Sequence, residues 1–291
     1  MNQPLVTVDW LAARLDDPRL RLLDASVELA APGFDGDYRV ESGHAGWLAG
    51  HIRGARHADL LGELADPQAS FSFALPDPQR AKDALRKLGL HDDSLIVIYD
   101  RSDGFWAARL WWMLRSLGID AAVLDGGLRA WIAAGFSLQQ GESVEAESGT
   151  LSTPAKYREG FWIDRHDVEQ VVAGKADGTL VCALSAALFD GSAVTRYARR
   201  GHIPGSRNLP ARSLFDDDGR YRRGAALGEA LAGLRQAEPP LLLYCGGGIS
   251  AAALALALTM AGETRVAIYD GSLQEWAAEP SLPLTTGAAP A

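Results

Sequence analysis

The stretch Leu241-Leu-Leu-Tyr-Cys-Gly-Gly-Gly-Ile-Ser250 leads directly into the alanine- and leucine-rich run Ala251–Leu258. The apolar residues predict a buried strand, the glycines a tight loop, and the run a helix with Ser250 as its N-cap. Cys245 then lies at the end of the strand, where loop N–H groups and the positive helix end favour a thiolate. The main hypothesis is a nucleophilic cysteine, and the alternative is a small buried cysteine before an ordinary turn.

Two other kinds of loop chemistry are excluded by residues that this stretch lacks. A phosphate-binding P-loop ends in Gly-Lys-Ser/Thr, and this loop has no lysine. Cysteine phosphatases use a similar strand, loop and helix, but their loop is one residue longer and an arginine closes it. Here the chain continues Ser250-Ala-Ala252, so the loop can hold a small anion but holds a phosphate ester poorly.

The chain also repeats itself. Three pairs of segments match in the same order: Gly50–Arg56 with Gly201–Arg207, Ile96–Asp100 with Leu241–Cys245, and Asp125–Trp131 with Asp270–Trp276. The separations are 151, 145 and 145 residues, which indicates tandem duplication of one unit.

Each unit alternates strands and helices, which predicts an α/β fold with a small, mainly parallel sheet flanked by helices. We predict a first unit over residues 1–138, a polar linker over 139–156 and a second unit over 157–291. In the first unit the pattern predicts helices over Asp77–Leu88 and Phe105–Leu117 and strands over Leu95–Tyr99 and Ala121–Leu124.

The Cys-Gly-Gly-Gly-Ile-Ser segment resembles the active loop of the rhodanese family (thiosulfate and 3-mercaptopyruvate sulfurtransferases), with a Cys-Gly start closer to the mercaptopyruvate branch. The Gly-His-Ile-Pro-Gly turn and the Asp-Gly-Ser-Leu-Gln-Glu-Trp segment agree with it over nearly the whole chain. The resemblance implies a tandem pair of rhodanese-like domains with the active site at their interface. The first domain would be catalytically inactive, because Asp100 stands at the position that Cys245 occupies in the second.

The implied activity is sulfur transfer in two steps. Cys245 would take a sulfur from thiosulfate or 3-mercaptopyruvate as a persulfide, and cyanide or a thiol, including a small redox protein, would remove it. The persulfide would be stabilised by the amides of the loop residues Gly246, Gly247, Gly248, Ile249 and Ser250. The Ser250 hydroxyl would either donate one more hydrogen bond or cap the helix. No metal or organic cofactor is expected.

The second unit departs from the family where the sulfur donor binds. Leu184 and Leu188 stand where the family has donor-binding arginines, and Gly247 stands where the mercaptopyruvate branch tends to have serine. Arg196, Arg199 and Arg200 lie just before the Gly-His-Ile-Pro-Gly turn and are candidates to supply the missing charge, with Arg196 and Arg200 preferred. The alternative is that these arginines are simply solvated.

Two further residues have alternative interpretations. Trp106 either walls the pocket or packs in the core. Cys182 replaces a family aspartate and is either a buried thiol or a thiol that resolves Cys245 as a disulfide, which needs Cα atoms within about 7 Å. The competing functions are a persulfide carrier that a protein donor loads, with little activity on small donors, and a thiol redox enzyme that uses both cysteines.

Composition limits the partners. The formal net charge is −9 with no basic stripe, which argues against nucleic-acid and anionic-membrane partners. The N-terminus shows no secretory pattern, and no apolar run reaches membrane-spanning length. With only two cysteines we expect a cytoplasmic protein, and with two fused units a monomer.

Overall fold

The structure is a computed structural model that describes residues 3–143 and 147–288. The strands of the first half are β1 (Leu5–Val6), β2 (Leu20–Asp24), β3 (Val27–Leu29), β4 (Val40–Ser42), β5 (Arg56–His57), β6 (Leu95–Tyr99) and β7 (Ala121–Leu124). Its helices are α1 (Val8–Ala12), α2 (His44–Ala49), α3 (Pro78–Lys87), α4 (Phe105–Ser116) and α5 (Gly127–Ala133).

The second half has the same succession of elements. Its strands are β8 (Trp162–Ile163), β9 (Thr179–Cys182), β10 (Arg207–Asn208), β11 (Leu241–Tyr244) and β12 (Val266–Tyr269). Its helices are α6 (Arg165–Val172), α7 (Ala186–Phe189), α8 (Gly224–Ala230), α9 (Ile249–Met260) and α10 (Ser272–Trp276). Short 3₁₀ turns lie at Ala211–Leu214 and Ala232–Leu234.

Both halves form a five-stranded parallel sheet. The strand order is β1-β7-β6-β2-β5 in the first sheet and β8-β12-β11-β9-β10 in the second, so equivalent strands occupy equivalent places. The first half adds a small antiparallel hairpin of β3 and β4. The predicted α/β fold and the duplication are both confirmed.

The predicted elements of the first unit are confirmed with small changes at their ends. Strands β6 and β7 have the predicted bounds. Helix α3 is capped by the Asp77 side chain, which accepts the N–H groups of Gln79 and Arg80, as expected for a residue just outside a helix. Helix α4 ends at Ser116, one residue before its predicted end.

Helices α4 and α9 pack against each other and join the two halves. Helix α9 is apolar on all sides, and its residues from Ala251 to Leu258 are buried, as expected for a helix enclosed by protein. One hydrophobic cluster contains Leu110 of α4, Leu254 of α9 and Cys245, so the cysteine lies at the junction of the halves.

The predicted linker follows the first half where it is described. Gln139 forms a β-bridge with His51, and the Gly149 N–H donates to the Arg86 carbonyl at 2.7 Å. Residues 144–146 of the linker lie outside the described residues. Within the described ranges, no helix is both long and apolar enough to cross a membrane.

Candidate active site

Cys245 directly follows β11 and begins the glycine loop that leads into α9. Gly248 ends this loop with a φ of +75°, a left-handed conformation that glycine adopts at little cost. Helix α9 therefore begins at Ile249, and Ser250 is its second residue. The prediction that Ser250 caps the helix is wrong, because the backbone of Gly248 already turns the chain into the helix.

The loop amides fall into two groups. The N–H groups of Cys245 and Gly248 both donate to the Ser272 hydroxyl, at 3.2 and 3.1 Å. The sequence predicted that the Gly248 amide stabilises the persulfide, but in the structure this amide already donates to Ser272. No acceptor among the described residues pairs with the remaining amides, which belong to Gly246, Gly247, Ile249 and Ser250. These four N–H groups at the start of a twelve-residue helix can bind an anion at the sulfur.

Two loop glycines are required by close packing. A Cβ on Gly246 would overlap the Tyr197 hydroxyl, and one on Gly247 would overlap the Gln274 amide. The serine that the mercaptopyruvate branch tends to have at the third loop position therefore has no space here unless Gln274 moves.

A pocket of about 400 Å³ opens above Cys245 between the two halves. Its walls are mostly aromatic and aliphatic: Tyr38, Phe73, Phe105 and Trp106 from the first half, and Leu184, Tyr197 and Ile249 from the second. Glu28, Asp103 and Gln274 add polar groups. Burial raises the pKa of Tyr38 and Tyr197, so both phenols stay protonated and able to donate a hydrogen bond.

Arg196 is the sole arginine or lysine among the described residues that line this pocket. Its Nη2 donates to the Ala30 carbonyl at 3.0 Å, which ties the guanidinium to the first half. Its Nε is buried and has no hydrogen-bond partner among the residues of the structure. An unpaired N–H on a cation in the pocket of Cys245 suits an anionic ligand.

Arg200 does not line the pocket. Its Nε pairs with Asp35 at 2.8 Å, and its Nη1 donates to the Gly191 carbonyl. The structure thus brings Arg196 but not Arg200 to Cys245, because Arg200 is held by its own ion pair.

Comparison with known proteins agrees with this geometry. The rhodanese-like domain family matches the chain twice, over residues 7–134 and 168–279. The chain belongs to the rhodanese family. It is similar to a probable 3-mercaptopyruvate sulfurtransferase of Pseudomonas aeruginosa, with 34% identity over 97% of this chain and 98% of that one. It is 32% identical to the 3-mercaptopyruvate sulfurtransferase of Escherichia coli, covering 96% of each chain.

A putative thiosulfate sulfurtransferase of Mycobacterium tuberculosis is also 32% identical to this rhodanese, covering 99% of each chain. The crystal structure of the rhodanese SseA from Escherichia coli superposes with a TM-score of 0.78 at 30% identity, covering 93% of this chain and 99% of that one. Both kinds of donor therefore occur in the names of the relatives.

The two leucines at the family's arginine positions have different surroundings in this rhodanese. Leu184 lines the pocket, whereas Leu188, on the short helix α7, does not. Trp106 is 6% exposed and lines the pocket while its ring packs against Phe73 at 4.9 Å. Trp106 therefore both lines the pocket and packs in the hydrophobic core, so the two interpretations of this residue are compatible.

Cys182 lies on the other face of the sheet from Cys245. It is the register partner of Tyr244, and the two side chains belong to the same cluster behind the sheet. Side chains alternate along a strand, so Cys245 points to the opposite face, into the interdomain cluster. Both cysteines are free, and their placement on opposite faces of the sheet argues against a direct disulfide. Burial raises the pKa of Cys182 to about 12, which makes it a buried, protonated thiol.

Asp100 provides an internal comparison with Cys245. It follows β6, the counterpart of β11, and its carboxylate accepts the N–H groups of Ser102, Gly104 and Ala107 at 2.9 to 3.0 Å. The strand-loop-helix junction of the first half thus holds a carboxyl group of the chain itself in its amides, although burial raises the pKa of that group.

Sequence reasoning missed the residues that reach the site from elsewhere. Tyr38 and Phe73 come from loops of the first half, and Tyr197 from a loop of the second. Gln274 and Ser272 lie in the repeated Asp-Gly segment. Their position in a repeated motif is the sequence feature that could have identified them as site residues.

Proposed function

We propose that this rhodanese is a sulfurtransferase that moves a sulfane sulfur through a persulfide on Cys245. The observation that carries the proposal is the position of Cys245 at the floor of an interdomain pocket, with four unpaired loop amides around it. Such amides stabilise a negative charge on sulfur both before and after the transfer. The relatives named sulfurtransferases support the same reading.

The first step forms one S–S bond and breaks one bond to the donor sulfur. With 3-mercaptopyruvate, the Cys245 thiolate attacks the donor sulfur, the C–S electron pair leaves as the enolate of pyruvate, and that enolate takes the proton of the donor thiol. With thiosulfate, the S–S electron pair leaves as sulfite. In the second step, cyanide or a thiolate attacks the outer sulfur and regenerates the Cys245 thiolate.

Asp100 supports the loop as an anion site, because the equivalent loop of the same chain already binds a carboxylate. A carboxylate cannot carry a sulfane sulfur, so we propose that the first domain is catalytically inactive. Its contribution is then to wall the pocket with Phe73 and Trp106.

The pocket favours 3-mercaptopyruvate as the small donor. This donor carries one carboxylate and an uncharged thiol, which matches the single cation Arg196 and the apolar walls. Thiosulfate is a compact dianion that would leave one charge unpaired in an apolar pocket, at a cost in binding. The acceptor is a small thiol or a thiol protein, and both cysteines are free, which fits the reducing cytoplasm that we propose as its location.

The test is steady-state sulfur transfer to cyanide with each donor, for the wild type and for Cys245→Ala. We expect turnover with 3-mercaptopyruvate, a lower kcat/KM with thiosulfate, and no turnover in the variant. Mass spectrometry after donor alone should find one added sulfur on the Cys245 peptide.

The persulfide-carrier alternative has its own signature in the same assay. A folded wild-type protein that alkylates at Cys245 but turns over neither donor contradicts the small-donor enzyme. Recovery of a Cys245 persulfide only from a protein donor would then establish a carrier.

A further inference from the structure

Asp270, in the repeated Asp-Gly segment of the second half, reaches across to the first half. Its Oδ2 accepts the N–H of Leu75 at 2.7 Å, and its Oδ1 pairs with Nη2 of Arg109 at 2.5 Å. We call this group of three residues the Asp270 clasp.

Asp125, the counterpart of Asp270 in the first half, makes the reciprocal contact with the second half. Its Oδ1 accepts the N–H of Tyr221 at 2.9 Å, and its Oδ2 pairs with Nη2 of Arg223 at 2.8 Å. This Asp125 clasp lines a different cleft, of about 680 Å³, with Trp10 and Arg220. The chain therefore contains a second clasp of the same design away from Cys245.

The two clasps differ in their arginines. Arg223 is about half exposed, whereas Arg109 of α4 is 0% exposed. The Arg109 guanidinium lies over the Trp162 ring at 4.5 Å, and its Nη1 occupies the space that a Cβ on Gly248, in the Cys245 loop, would need. Its Nε and Nη1 have no hydrogen-bond partner among the described residues. A buried cation with unused donors lies directly behind the nucleophile loop.

Arg109 also fixes the wall of the pocket. Its Nη2 donates to the carbonyl of Phe73 at 2.7 Å. Phe73 has a φ of +67°, a strained conformation for a non-glycine residue, and its ring lines the pocket above Cys245. On the other side, Gln274 accepts the N–H of Ser72 at 2.9 Å, so the same wall segment is also held to the second half.

We propose that Arg109 is a positioning residue for the Cys245 site, acting from the first domain. It holds Phe73 over the nucleophile, and its charge behind the Gly248 backbone favours negative charge on the Cys245 sulfur. Its role in turnover rests on the proposed sulfur transfer, but its effect on the cysteine does not.

Other ionisable groups also surround Cys245, and they are present in the wild type as well as in the variants. These groups are Tyr38, Tyr197 and Arg196 in the pocket, Glu28 and Asp103 on its polar side, and Asp270 behind the loop, with Cys182 on the far face of the sheet. Comparing variants with the wild type cancels their common contribution.

The test measures the iodoacetamide alkylation rate of Cys245 at pH 7 in the full chain without any donor. In Arg109→Met this rate should fall about tenfold, because a nearby cation that favoured the thiolate is gone. In Asp270→Asn the rate should rise, because Arg109 loses its counter-ion. Arg223→Met, in the Asp125 clasp, is the matched control and should leave the rate unchanged.

Turnover gives the second readout. The kcat/KM for 3-mercaptopyruvate should fall about 30-fold or more in Arg109→Met and less than about twofold in Arg223→Met. An alkylation rate that is unchanged in Arg109→Met, or that also falls in Asp270→Asn, overturns the proposal. If Arg109→Met does not fold, the direction of the rate change in Asp270→Asn decides. A wild type without turnover contradicts the proposed function alone, because alkylation needs no donor.

Discussion

Replacing Arg196 by glutamine tests whether the pocket binds its donor through one cation. Arg196 is the sole basic residue lining the described part of the pocket, and its buried Nε has no protein partner. Glutamine keeps a polar side chain near the Ala30 carbonyl that the arginine contacts, but it cannot carry a charge.

The expected loss follows from the kind of interaction removed. A hydrogen bond between charged groups contributes about 1.5–3 kcal/mol, which corresponds to about a 10- to 150-fold fall in kcat/KM. The carboxylate of 3-mercaptopyruvate is remote from the C–S bond that breaks, so the loss should appear mainly as a higher KM.

The assay is sulfur transfer from 3-mercaptopyruvate to cyanide over a range of donor concentrations, with Arg200→Gln as control. Arg200 forms a half-exposed ion pair with Asp35, and such pairs are worth about 0–1 kcal/mol. We expect its kcat/KM to stay within about twofold of the wild type. A kcat/KM for Arg196→Gln within about threefold of the wild type, or equal losses in both variants, would refute the assignment.

Four further predictions concern other residues. Leu184→Arg adds a second cation to the pocket and should raise kcat/KM for thiosulfate about tenfold, whereas Leu188→Arg, outside the pocket, should leave it unchanged. Iodoacetamide at pH 8 should label one of the two cysteines in the native protein, because burial raises the pKa of Cys182 to about 12, and both in urea. Because the pKa of Cys182 is raised on folding, its stabilisation is complete below about pH 9 and is lost toward pH 12. Between pH 7 and 10 the wild type should therefore lose about 1 kcal/mol more unfolding free energy than Cys182→Ala in urea titrations. Gly246→Ala, whose Cβ would overlap a tyrosine hydroxyl, should lower kcat/KM at least about 100-fold with an unchanged circular dichroism spectrum, whereas Gly228→Ala, with open space around it, should not.

The fold was predictable because its determinants are local or repeated. Buried parallel strands such as Leu95–Tyr99 are continuous apolar runs in the sequence, and Asp77 is a residue type that typically caps the start of a helix, here α3. The position of Cys245 could be predicted from the same pattern, because a residue between an apolar strand and a glycine loop must lie at the end of that strand.

The rest of the site depends on the directions of side chains in loops. The hydrophobic periodicity of a sequence predicts such directions in helices and strands but not in loops. Arg196, Arg199 and Arg200 looked equivalent in sequence, yet each has a different partner. Arg199 donates to four backbone carbonyls near the end of α10, and Arg200 pairs with Asp35, which leaves Arg196 for the pocket. Likewise, Cys182 could be assigned to the far face of the sheet only once its register with Tyr244 was known.

The first half contributes to the site although Asp100 stands at the position of the cysteine. Three amides at its strand-loop-helix junction donate to Asp100, which occupies the place that a donor would take in the second half. This half contributes to the Cys245 pocket through the interface, where Phe73 and Trp106 line the pocket and Arg109 lies next to Gly248 of the loop. A second half expressed alone would keep its cysteine and glycine loop but lose that wall and that buried charge. Under the proposed function, the catalytic unit is therefore the interface between the halves rather than either half.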